Sequence, residues 1–179
     1  MSDSGVPSYI GRAFDQICFV VEDLDAATDY WKKVNGVDNW LLAIDLAKEQ
    51  TEKEYWGRES DFQFSCAYGF SGNVLIELAR HDGGESLYRD WMDERGRGPH
   101  HIGFLLEDPD EYARAKESYE ASGLVQAMTG FLDGPTICRW SYWDTRESIG
   151  CYTELYYVAG EGTDQMKRLR AGETVELAG

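Results

Sequence analysis

Four polar residues interrupt stretches that are otherwise apolar: Gln16, Glu77, His101 and Glu154. Gln16 opens the run Gln16-Ile-Cys-Phe-Val-Val-Glu-Asp23, and 85 residues later His101 opens His101-Ile-Gly-Phe-Leu-Leu-Glu-Asp108. Glu77 sits within Val-Leu-Ile-Glu-Leu-Ala and Glu154 within Cys-Tyr-Thr-Glu-Leu-Tyr, so each copy of a repeated unit ends on a strand that carries one carboxylate. An isolated buried carboxylate is costly and must be paired, protonated or bound to a cation. Few of the 17 basic residues lie in the predicted strands, which makes a metal the economical partner. Polar groups at matched places of a duplicated unit are what a metal site shared between two halves requires. Oxygen and nitrogen ligands without thiolate suit Zn²⁺, Mn²⁺, Co²⁺, Ni²⁺ or Fe²⁺ and do not select among them.

Such a metal polarises a carbonyl or hydroxyl and lowers the barrier to removing the adjacent C–H proton. Glu77 or Glu154 then serves as general base and returns the proton to a neighbouring carbon, giving an isomerised product through an enediolate. Aromatic residues crowd the same strands. Most of them fill the core, yet Phe62 with Phe64, and Trp140 with Tyr142, each share one face of a strand and are spaced to sandwich a flat substrate. The plainer alternative puts Glu77 and Glu154 on solvent-facing strand positions and gives Gln16 a structural role.

The elements that must position these residues follow from hydrophobic period and punctuation. Residues 14–21 read as a buried strand. Asp23 caps a helix carrying Leu24, Ala27, Tyr30, Trp31 and Val34 at helical spacing, with Gly36 at its end. The Lys-, Glu- and Ala-rich run from Asp45 to Glu54 is a candidate for an extra, solvated helix. Strands over 62–70 and 74–79 flank the turn Ser71-Gly72-Asn73, 80–84 reads as loop with His81 in it, and 86–95 as a short amphipathic helix. His101 to Leu106 starts the second copy, with His100 pointing to the opposite face as a surface or interface residue. Asp108, Pro109 and Glu111 form a capping-box start for a helix with Tyr112, Ala115 and Tyr119 inside and Gly123 at its end. Strands near 124–131, 136–143 and 150–158 follow. The expected organisation is an extension over 1–13, one domain over 14–158 and a polar tail over 159–179. Within the domain, module one covers about 14–80, a linker helix about 85–97 and module two about 98–158. The tail carries a weak helical stretch at 166–170.

Composition narrows the partners. With 17 basic and 33 acidic residues the net charge is −16, which argues against nucleic acid and against an anionic membrane surface. No apolar run is long enough to span a bilayer, and the first residues lack the basic and apolar regions of a signal peptide. Four cysteines without a CxxC pair fit a reduced, cytoplasmic protein.

The tandem βαβββ order resembles the vicinal oxygen chelate superfamily, which includes glyoxalase I, methylmalonyl-CoA epimerase, extradiol dioxygenases and bleomycin-resistance proteins. The resemblance rests on Phe14-Asp-Gln-Ile-Cys-Phe-Val-Val-Glu-Asp-Leu-Asp-Ala-Ala, on Glu94-Arg-Gly-Arg-Gly-Pro-His-His-Ile-Gly-Phe and on Trp143-Asp-Thr-Arg-Glu-Ser-Ile-Gly150 leading into Glu154. It implies an α+β fold of two tandem βαβββ modules around a cleft that holds one divalent metal. Its ligand positions fall on Gln16, Glu77, His101 and Glu154, a set similar to the glyoxalase I pattern and different from the epimerase pattern at Gln16 and Glu77. By the same resemblance Glu154 is the base. The implied activity is that of a metal-dependent isomerase or lyase acting at a carbon next to a metal-bound oxygen of a small aromatic or bulky apolar substrate. The alternatives are a ring-cleaving dioxygenase, disfavoured by Gln16, and a metal-free sequestering protein, disfavoured by retention of all four ligand types. A homodimer is common in the superfamily. A coenzyme A handle is weakened by the net charge, Arg95 and Arg97 being the only nearby basic pair.

Overall fold

The computed structural model describes residues 13–176 of the chain, so all of the expected 1–13 extension but Ala13 lies outside the described residues, as do 177–179 of the tail. The first repeat contributes β1 (Gln16–Val20), α1 (Leu24–Tyr30), β2 (Leu41–Ala43), β3 (Gln50–Tyr55), β4 (Arg58–Glu59), β5 (Gln63–Ser71) and β6 (Val74–Gly83). After the linking helix α2 (Leu87–Arg95) come β7 (Gly98–Leu105), α3 (Pro109–Ala121), β8 (Gln126–Asp133), β9 (Thr136–Trp143), the short α4 (Arg146–Ile149), β10 (Tyr152–Gly160) and α5 (Glu161–Arg170). All ten strands form one sheet in the order β2-β5-β6-β1-β7-β10-β9-β8-β3-β4. The α+β class and the paired βαβββ modules are as the sequence implies. β1 lies parallel to β6, β7 lies parallel to β10, and β1 meets β7 antiparallel where the two halves join.

The sheet is strongly curled, and chain connectivity requires it. β2 and β3 stand eight strand positions apart in the sheet, roughly 38 Å if it were flat. Only residues 44–49 connect them, a reach of at most about 25 Å. The helices α1 and α3 cover the outer face. Leu24 packs with Ala67, Ile76 and Leu78, while Tyr112, Ala115 and Tyr119 pack with Trp143, Leu155 and Tyr157. The stripe of α3 read from the sequence is therefore buried as expected, whereas in the first helical stretch only Leu24 is buried and Tyr30 and Val34 are exposed. Asp108 accepts from the Glu111 backbone N–H at 2.7 Å, and the Glu111 carboxylate reaches back to the N–H of Glu107, one residue before the cap.

Three expectations are corrected. Residues 45–54 are a 3-10 turn (Leu46–Glu49) followed by β3, because pairing with β8 outweighs local helix propensity. The predicted loop at 80–84 is strand up to Gly83, held by the pairs Phe64–His81 and Gln63–Gly83. His81 is therefore a strand residue, its Nδ1 3.0 Å from Ser86 Oγ. The tail is an ordered ten-residue helix whose Leu169 is buried with Leu41 and Val175. Among the described residues no helix is long and apolar enough to cross a membrane.

Candidate metal centre

Gln16, Glu77, His101 and Glu154 lie on four adjacent central strands, in the order β6, β1, β7, β10. Strand alternation sends all four to the concave side, and each is at most 5 % exposed. Their side chains converge. Gln16 Nε2 lies 2.7 Å from Glu77 Oε2, 2.8 Å from Glu154 Oε2 and 3.1 Å from His101 Nε2. His101 Nε2 is 3.1 Å from Glu77 Oε2 and 3.2 Å from Glu154 Oε2.

These separations suit a metal ion. Bonds of about 2.1 Å to imidazole nitrogen or carboxylate oxygen put ligands at right angles about 3 Å apart. Two buried carboxylates facing one imidazole also leave negative charge that a divalent cation neutralises. The Gln16 amide donates to both carboxylates here, and its other end supplies an oxygen ligand after a half-turn of the amide. Space is reserved as well. Gly103 pairs with Gln16 on one side and Glu154 on the other. A β-carbon there would come within 3.1 Å of Gln16 Cβ, Glu154 Oε2 and Tyr156 Cε1.

The two carboxylates differ in their surroundings. Burial pushes both toward the neutral form. At Glu77 the hydrogen bond and charge of His101, with the thiols of Cys66 and Cys18, outweigh burial and pull its pKa below the ordinary value. At Glu154 burial prevails over His101 and, with the charge of Glu77 adding to it, raises the pKa. Burial alone would lower His101, but Glu154 and Glu77 overcome it and bring its pKa up to about 9.

His100 is fully buried, against the expectation of a surface position. The register of β1 on β7 shifts after Cys18–His101 to Phe19–Pro99, so His100 is the extra residue of a β-bulge, which breaks the alternation. Its Nδ1 lies 2.9 Å from Nδ1 of His101. Burial, reinforced by His101, holds His100 in its neutral form, so it can accept the Nδ1 proton of His101 and leave Nε2 of that ring facing the cluster.

Gln16, Glu77 and Glu154 line a cleft of about 820 Å³ within a single chain, while His101 is buried against the two carboxylates without lining it. Phe64, Trp140 and Tyr142 line it, with Trp140 and Tyr142 ring centroids 4.9 Å apart and Tyr142 4.5 Å from His101. Phe62 does not reach the wall: it is fully buried and stacks on Phe64 at 5.9 Å. The sequence reading missed four contributors. Gln50 comes from β3, Met166 and Arg170 come from α5, and Cys66 donates to Glu77 Oε1 at 3.0 Å. Gly103 did carry a signal, since glycine inside a strand marks a close approach. Gln50 carried none.

The family model of the Glyoxalase/Bleomycin resistance protein/Dioxygenase superfamily matches residues 15–137, which include Gln16, Glu77 and His101. The chain belongs to this superfamily. No curated protein matches its sequence. Solved structures share the fold at low identity. A hypothetical protein from Bacillus halodurans C-125 superposes with a TM-score of 0.56 at 15% identity, covering 81% of this chain and 93% of that one. Methylmalonyl-CoA epimerase from Mycobacterium tuberculosis gives 0.54 at 17% identity, over 84% and 91%. A Streptomyces coelicolor methylmalonyl-CoA epimerase variant in complex with 2-nitronate-propionyl-CoA gives 0.51 at 18% identity, over 80% and 95%.

Proposed function

We propose that this superfamily member is a metal-dependent isomerase or lyase that moves a proton at a carbon next to a carbonyl or hydroxyl of a small apolar or aromatic substrate. The observation that carries the reading is the convergence of Gln16, Glu77, His101 and Glu154, whose polar atoms approach one another at 2.7 to 3.2 Å. A divalent ion held by these residues would draw electron density from a substrate oxygen and acidify the neighbouring C–H.

Glu154 takes the role of base. Glu77 has one oxygen engaged by the Cys66 thiol and the other by Gln16 and His101, which holds it as an anionic ligand. Glu154 is raised toward the range in which a carboxylate accepts and returns a proton. Environments that push two carboxylates apart in this way divide their roles. Tyr142, Trp140 and Phe64 flank the substrate and keep water from the reacting carbon. His100 positions the His101 ring through Nδ1.

Elemental mass spectrometry of the purified chain, beside Glu77→Gln and His101→Ala variants, tests the reading. About one divalent ion per chain, lost in both variants, is the expected result. Absence of metal after reconstitution with several divalent ions would overturn it and favour a metal-free binding protein.

A further inference from the structure

The cleft is built partly from segments outside the repeated βαβββ unit, and its rim is acidic. Asp15, Asp45, Glu49, Asp133 and Glu161 border it. The cations at the border, Lys167 and Arg170, are engaged: Lys167 pairs with Asp164 at 3.4 Å, and Arg170 stacks on Phe70 at 4.7 Å while reaching the Asn73 carbonyl. Arg95 and Arg97 do not line the cleft. Arg95 bonds the Gly150 carbonyl and Arg97 lies by Glu22. A phosphorylated handle such as coenzyme A would meet a rim on which five carboxylates outnumber two cations, Lys167 and Arg170.

Inside the rim the wall is a relay of rings that leads away from the four-residue cluster. Tyr142 lies 4.5 Å from His101, Trp140 lies 4.9 Å from Tyr142, and the Trp140 indole Nε1 donates to Gln50 Oε1 at 3.2 Å. An indole N–H can only donate, so the Gln50 amide must offer its oxygen to Trp140. Its NH₂ group then makes no hydrogen bond among the described residues and opens onto the cleft rather than being sealed in the wall. A donor free on the wall of a largely apolar cleft selects for a ligand that supplies an acceptor once it displaces water there.

We propose that the cleft takes an uncharged aromatic molecule with a hydrogen-bond acceptor about one ring system away from the oxygen facing the cluster, and that Gln50 reads this acceptor. The inference rests on the reading that the cluster faces a substrate oxygen. It sets the substrate apart from the coenzyme A esters of the epimerases that share the fold.

Isothermal titration of the full chain with 2-naphthol, 6-methoxy-2-naphthol and coenzyme A tests it. The methoxy compound binds about fivefold tighter than 2-naphthol, the gain of one hydrogen bond, and coenzyme A binds at least about tenfold weaker than either. Gln50→Leu and Gln50→Glu both abolish the preference for the methoxy compound. Gln50→Glu keeps an acceptor for Trp140, so it decides the matter if Gln50→Leu disturbs the wall. Coenzyme A binding as tightly as the naphthols, no binding of either naphthol, or a methoxy preference that survives Gln50→Glu would overturn the proposal. Metal content, measured separately, reports on the catalytic reading: naphthol selectivity without metal sinks only that reading, and metal without selectivity sinks only this one.

Discussion

Cys66 donates its thiol proton to Oε1 of Glu77, while Oε2 of the same carboxylate faces Gln16 and His101. The thiol fixes which oxygen turns toward the cluster. Cys66→Ala should leave the fold intact and weaken divalent-metal affinity about tenfold or more, in line with the loss of other supporting contacts around metal ligands. A competition titration against a chromophoric chelator measures it, and unchanged affinity would remove Cys66 from the centre.

Gly103 is the narrowest point of the site. In Gly103→Ala the new methyl would press on Glu154 Oε2 and the Gln16 stem, each only 3.1 Å from its position. The expected cost is about 1–3 kcal/mol of stability from overpacking, with a larger relative loss in metal binding because two ligands move. Denaturant unfolding and metal titration of the same sample separate the two effects.

Metal binding should expel a proton. His101 has a pKa of about 9 in the metal-free chain, so at pH 7.5 it carries a proton that a cation must displace. Below pH 9 the apparent affinity should rise about tenfold per pH unit from this group and level off above it. Binding followed in two buffers of different ionisation enthalpy gives the number released, expected to be about one.

Only the folded chain brings the four candidate ligands together, so on the proposed reading metal should stabilise it by mass action. At a hundredfold excess over Kd the gain is about 2.7 kcal/mol, or roughly 5–10 °C in melting temperature for a domain of this size. Thermal melts with and without EDTA should show the shift in the wild type. A Glu77→Gln/Glu154→Gln double variant should show almost none.

Much of this architecture was legible because it is repeated. The Gln16 and His101 strands, the carboxylates on the later strands and the stripe Tyr112, Ala115, Tyr119 all follow from period and punctuation, and all four cluster residues do face one another. The unrepeated parts were not legible. Residues 50–55 have the composition of a helix and become a strand only because β8 offers a free edge. Glu161 to Arg170 is polar in sequence, and its place on the cleft depends on Leu169 docking beside Leu41. His100 was read to the wrong face because a bulge cannot be seen in a two-residue period. Phe62 and Phe64 were read as a pair on one strand face, but β5 starts only at Gln63, so their separation had no register to fix it.

The route of residues 44–59 across the cleft also sets an order of assembly. β3 belongs to the first repeat by sequence and pairs locally with β4, but its other edge is filled only by β8, which is synthesised more than seventy residues later. During translation the first repeat can pair β1, β5 and β6, while this hairpin stays unmated until the second repeat has emerged and curled toward it. The first repeat made alone is left with an orphaned strand edge, prone to pair with a neighbouring copy. The segment that shapes the cleft must wait for the second repeat before it is seated.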